Sequence, residues 1–186
     1  MKFATDYIEK LQKALAGLDA EAIGKAAAWL KEARDKGRMV FVIGNGGSAA
    51  VAAHLVVDLV KGASYGRPAK FKVMSLAENI ATLTAYVNDV GGEAVFVEQL
   101  KNFAGPGDIV IALSGSGDSP NVLAAVEYAN GAGCKTIAMT REGGGALGML
   151  VGLNLAVPSD HMGRLEDGFM AMAHILAYAF MERAVD

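Results

Sequence analysis

The chain has 186 residues, a length that one α/β domain fills, and a formal net charge of −3 with acidic and basic residues interspersed. That balance excludes a general nucleic-acid binder, which needs a basic footprint. Apolar residues make up 53% of the chain, yet no uninterrupted run reaches about 18, so no membrane-spanning helix is expected and the surplus apolar surface points to self-association.

The opening stretch MKFATDYIEKLQKAL is amphipathic and lacks the apolar centre of a signal peptide, which makes the cytoplasm the expected location. A first helix is expected over residues 7–16. A second begins at Asp19, a good N-cap, and runs to Gly37. The texture then changes to short apolar runs between turn signals: MVFVIG, FKVMSL, DIVIALS, KTIAMT and LNLAVP. Near-continuous apolar strands alternating with helices (48–61, 78–86, 93–103 and 119–131) predict a doubly wound α/β fold, a parallel sheet of about five strands in a three-layer α/β/α arrangement. A final helix over about 164–183 is apolar on nearly every side, the pattern of a helix covered between subunits. The expected organisation is a single domain, with residues 1–37 as a helical extension and 38–186 as the core and last helix. Cys134 is the only cysteine and reads as a small buried residue before a strand.

Ligands of such folds bind beyond the carboxyl ends of the strands. Two loops there carry the chemistry. Gly44-Asn45-Gly46-Gly47-Ser48 leaves the first strand and opens a helix, where glycines admit a ligand and free N–H groups face an anion. Ala49 breaks the dinucleotide fingerprint and no Walker lysine follows, so no nucleotide cofactor is expected. Ser114-Gly115-Ser116-Gly117-Asp118-Ser119 follows DIVIAL, and its hydroxyls plus a helix start make a neutral, donor-rich cup for a phosphate dianion. Ser119 also suits an N-cap with Pro120 at the first helical position.

GNGGS followed by a helix bearing His54, then SGSGDSPNV, resembles the SIS (sugar isomerase) family, and within it the phosphoheptose isomerase branch. The resemblance extends through TLTAYVNDVGGEAVFVEQL and the last helix. It implies aldose–ketose isomerisation of a phosphorylated sugar, sedoheptulose 7-phosphate first, with a C5 or C6 sugar phosphate as the alternative substrate. It also implies a homo-oligomer, in the family a tetramer, with sites completed across subunits. Other SIS proteins bind the replication initiator as non-catalytic scaffolds, but they lack the residues matching Asp58 and His174.

Only three histidines are present: His54, His161 and His174. His54 and Asp58 share a helix face at i, i+4, and Glu166 and His174 lie two turns apart on the last helix. Two histidines and two carboxylates suit a divalent cation, most naturally zinc, or an acid–base pair without metal. In the family the matching positions are His, Glu, Gln and His; here Asp58 and Glu166 depart from that pattern. Asp58 is expected to act as base with His174 as its acid–base partner, and the resemblance adds Asn45 and Asp89 among the sugar contacts. Asn88-Asp89 is expected in a loop, and His161 on the surface.

Overall fold

The structure, a computed structural model, describes residues 1–185. Helices α1 (Lys2–Ala16) and α2 (Ala20–Asp35) open the chain. The Asp19 carboxylate accepts the Ala22 N–H at 3.0 Å and so starts α2 where a short acidic side chain is available. Five parallel strands follow: β1 (Met39–Gly44), β2 (Lys72–Ser75), β3 (Ile109–Leu113), β4 (Lys135–Arg141) and β5 (Leu153–Val157). Between them run α3 (Gly47–Val57), α4 (Ile80–Asp89), α5 (Ala94–Phe103), α6 (Pro120–Gly131) and α7 (Gly145–Leu150), and α8 (Met162–Met181) ends the fold.

The strand order is β2-β1-β3-β4-β5, all parallel. Strand β3 is buried along its whole length and β1 from its second residue onward, as expected of the middle of a sheet covered on both faces. One face packs under α1, α2, α3 and α8 through Leu30, Leu55, Phe169 and Phe180. The other packs under α5, α6 and α7 through Phe96, Leu100, Val126 and Leu147. This is the three-layer arrangement expected from the strand texture. The direction of winding reverses between β1 and β3, where adjacent loops part and leave a crevice.

Four local features differ from expectation. The helix expected over 48–61 is regular only to Val57; Asp58–Gly62 then form a π turn, with the Ala63 N–H reaching the Asp58 carbonyl at 2.8 Å. Helix α4 extends to Asp89, so Asn88 and Asp89 lie on its exposed last turn, not in a loop. The short α7, in GGGALGML, was not anticipated. Helix α8 buries eight residues within its own chain, so much of its apolar character is satisfied without a second subunit; Ile175 and Tyr178 remain exposed. Among the described residues no helix is long and apolar enough to cross a membrane.

Two readings of single residues gain physical content. The Cys134 thiol is pushed up to about 11 by burial, with Asp108 adding to the effect, and its Sγ donates to the Gly105 carbonyl. It is therefore a protonated packing residue. His161 is exposed, and its Nδ1 accepts the Arg164 N–H at 3.4 Å at the start of α8.

Candidate functional site

The two glycine- and serine-bearing loops leave neighbouring strands, because Gly44 pairs in register with Leu113. They meet across the crevice. Asn45 and Asn121 exchange two amide hydrogen bonds of 2.9 Å, joining the β1–α3 loop to the first turn of α6. Asn121 was not singled out from the sequence, since nothing in α6 marks it as anything but a polar first-turn residue. Gly46 stands at φ 55, a conformation that suits glycine, and turns the chain so that α3 presents its N-terminus to the crevice. Ser48 is buried in the first turn of α3.

The second loop is built by its own hydroxyls. Ser114 Oγ lies 3.2 Å from Ser119 Oγ and 3.4 Å from Ser116 Oγ. The Gly117 N–H donates to Ser114 Oγ at 3.1 Å, and the Asp118 N–H to Ser116 Oγ at 3.2 Å. Ser119 occupies the N-cap position of α6 with Pro120 behind it, but its side chain caps no helix N–H and turns to Ser114 instead. Gly115 is closed over by α8, because a Cβ there would stand 2.8 Å from Met162 Sδ. Three hydroxyls therefore gather beside the N-terminus of α6.

Helices α3 and α8 run side by side and parallel. The contacts that show it step along both helices together: Gly47 against Glu166, His54 against His174, and Gly62 against Met181. Each pair is separated by about 120 residues of chain. At the middle of this seam His54 Nε2 and His174 Nε2 are 2.9 Å apart, with their rings edge-to-face. Asp58 Oδ2 lies 3.4 Å from His54 Nε2 and 4.0 Å from His174 Nε2. That oxygen is buried and accepts no hydrogen bond, an arrangement that is costly for a polar atom unless something else meets it.

His54, Asp58 and His174 each offer one ligand atom, and the three atoms lie within 4.8 Å of one another. Tetrahedral zinc with bonds of about 2.0–2.1 Å spaces its ligand atoms by roughly 3.3 Å, within several tenths of an ångström of the separations here. The donor set, two imidazoles and an otherwise unpartnered carboxylate oxygen, fits a divalent cation. Glu166 does not join this set. Its carboxylate packs on Gly47, where an added Cβ would come within 2.1 Å of Oε1. Two helical turns, about 11 Å of rise, separate Gly47 from His54, so within one chain Glu166 belongs to the loop end of the seam. Asp89 bonds only its neighbour Asn88 among the described side chains, at 2.7 Å, and stands apart from the cluster.

With its layered parallel sheet, a serine loop at the switch point and a His-Asp-His cluster on the helix seam beside it, the chain belongs to the SIS domain family, whose model matches residues 4–141. It is 36% identical over 167 residues to the phosphoheptose isomerase of Citrifermentans bemidjiense, covering 90% of this chain and 86% of that one. The phosphoheptose isomerase structure from Francisella tularensis superposes with a TM-score of 0.91 at 30% identity, covering 97% of both chains. The one from Neisseria gonorrhoeae gives a TM-score of 0.89 at 24% identity, over 99% of this chain and 98% of that one, a likeness of fold.

Proposed function

We propose that the chain is an aldose–ketose isomerase that interconverts sedoheptulose 7-phosphate and an aldoheptose 7-phosphate. The carrying observation is the seam itself: a hydroxyl-lined anion cup at one end and an unsatisfied carboxylate between two histidines at the other. Relatives of the same length and fold bear the name phosphoheptose isomerase, which supports this reaction class.

The phosphate sits at Ser114, Ser116 and Ser119, with Gly46, Gly47 and Ser48 supplying backbone donors from α3. Asn45 keeps one free amide N–H for a sugar hydroxyl, and Glu166 lines the loop end. Anchoring the phosphate spends remote binding energy on orienting the reactive carbons. Asp58 takes a proton from the carbon next to the carbonyl, giving an enediolate, and returns it to the neighbouring carbon. His174 exchanges the hydroxyl proton that moves between the two oxygens. Zinc held by His54, Asp58 and His174, the alternative to proton transfer by those same atoms, would supply Lewis-acid polarisation of the carbonyl.

The choice of a C7 sugar rests on the relatives named phosphoheptose isomerase. Incubating the protein with sedoheptulose 7-phosphate and with C5 and C6 ketose phosphates tests this directly. The expected result is aldose product with the highest kcat/KM for the C7 sugar; no turnover of any of them, with phosphosugar binding retained, would instead identify a binding protein.

Exposed Val57, Val60, Ile175 and Tyr178 lie on the same two helical segments as the cluster. That apolar margin supports a homo-oligomer, a tetramer by resemblance, in which a neighbouring subunit covers the site. Sedimentation at micromolar concentration should show no monomer.

A further inference from the structure

We propose that the glycine turn Gly143-Gly144-Gly145 and the Asp118 carboxylate together hold the serine cup in its phosphate-binding shape, Asp118 being a positioning residue. The inference rests on the reading of Ser114, Ser116 and Ser119 as phosphate donors. Its starting point is an unusual backbone: Gly143, Gly144 and Gly145 stand at φ 83, 73 and 59, and Gly117 in the facing loop at φ 75. Three consecutive left-handed residues are tolerated only by glycine. Here they let one loop's main chain lie directly on the other's.

The contact admits no side chain. A Cβ on Gly117 would stand 2.1 Å from the Gly144 carbonyl oxygen. One on Gly145 would meet the Ser116 carbonyl oxygen at 2.8 Å and Asp118 Oδ1 at 2.9 Å. Two hydrogen bonds close the interlock, both from the start of α7. The Leu147 N–H donates to the Gly117 carbonyl at 2.9 Å, and the Ala146 N–H to Asp118 Oδ1 at 2.9 Å. Arg141 Nη2, at the end of β4, faces Asp118 Oδ2 at 4.0 Å.

The charge placement gives the arrangement its purpose. Asp118 follows Ser116 by two residues, and a free carboxylate there would repel the incoming phosphate. Bonded to the Ala146 N–H and facing Arg141, it is held on the α7 side with its charge partly met. Its own N–H meanwhile holds Ser116 Oγ at 3.2 Å. Fixing Asp118 thus fixes the Ser116 hydroxyl and keeps the carboxylate engaged with partners other than the phosphate.

The test compares Asp118→Ala, Asp118→Asn and Gly145→Ala with the unaltered protein. Readouts are KM and kcat for sedoheptulose 7-phosphate, the inhibition constant of inorganic phosphate, and the thermal midpoint. Loss of one cap-type hydrogen bond corresponds to a change of about fivefold to tenfold. Asp118→Ala and Gly145→Ala should therefore raise KM and the phosphate inhibition constant together by that factor, with kcat held within about twofold. Asp118→Asn keeps an acceptor for Ala146 and should recover most of the affinity. Phosphate binding in Asp118→Ala as tight as in the parent, or tighter, overturns the proposal, since the carboxylate would then be only a nearby repulsive charge. Should the alanine variant not fold, Asp118→Ser carries the comparison, with an intermediate KM expected and an unchanged KM overturning it. If phosphate fails to inhibit the unaltered enzyme, it is the cup reading that fails.

Discussion

The two ends of the α3–α8 seam are built on opposite terms. At the loop end the side chains partner one another: serine bonds serine, Asn45 bonds Asn121, and backbone lies on backbone. At the middle of the seam a buried carboxylate oxygen has none, and two imidazole nitrogens crowd together beside it. The first pattern is that of a preorganised binding site, whose donors are set before the ligand arrives. The second leaves one carboxylate oxygen beside a hydrogen-bonded imidazole pair, a group of atoms suited to a cation or to proton transfer.

This contrast breaks most sharply at Asp58. Asp58→Asn and His174→Ala should each lower kcat by a factor of about 10²–10⁴, the range of a lost acid–base group, while inorganic phosphate binds as before. Full turnover in either variant would remove that residue from the mechanism.

Zinc separates the ends next. At about 100 times its dissociation constant a ligand stabilises the folded state by about 2.7 kcal/mol, and in a chain of this length each kcal/mol raises Tm by about 2–4 °C. Zinc should therefore raise Tm by roughly 5–10 °C, and His54→Ala should abolish the rise. An equal rise in that variant would place the metal elsewhere. At the loop end, Ser119→Ala removes one hydrogen bond to a charged group and should raise KM about tenfold or more with little change in kcat. A fall in kcat with unchanged KM would reverse the roles of the two ends.

The smallest effect belongs far from both. Glu32 pairs with Lys135 and Lys36, whose hydrogen bonds and charges lower its carboxyl to about 2. A depressed carboxylate contributes stability above its ordinary value, and that contribution fades as pH falls through the folded value. The Tm advantage over Glu32→Gln should be present at neutral pH and lost between the ordinary carboxylate range and about 2. An advantage that persists in acid would mean the side chain acts by packing.

The same division governs what could be read from the sequence. Strands and the two cup loops were legible because their signals are local: apolar runs, glycines at strand ends and serines spaced for one turn. The cluster was legible only as a short list of histidines and carboxylates. Helical spacing correctly put Glu166 and His174 on one side of α8, but it does not say which part of α3 each turn meets. The answer, Gly47 for Glu166 and His54 for His174, depends on how two distant helices align. Helix α7 escaped because its glycines read as a loop, and the extra turn of α4 because Asn88 and Asp89 are turn formers by composition.

The parallel seam also makes one helix common to both ends. Met162 of α8 closes over Gly115 of the serine loop, and His174 of the same helix meets His54. Docking of α8 on α3 therefore assembles the proposed anion cup and the proposed acid–base cluster in a single event.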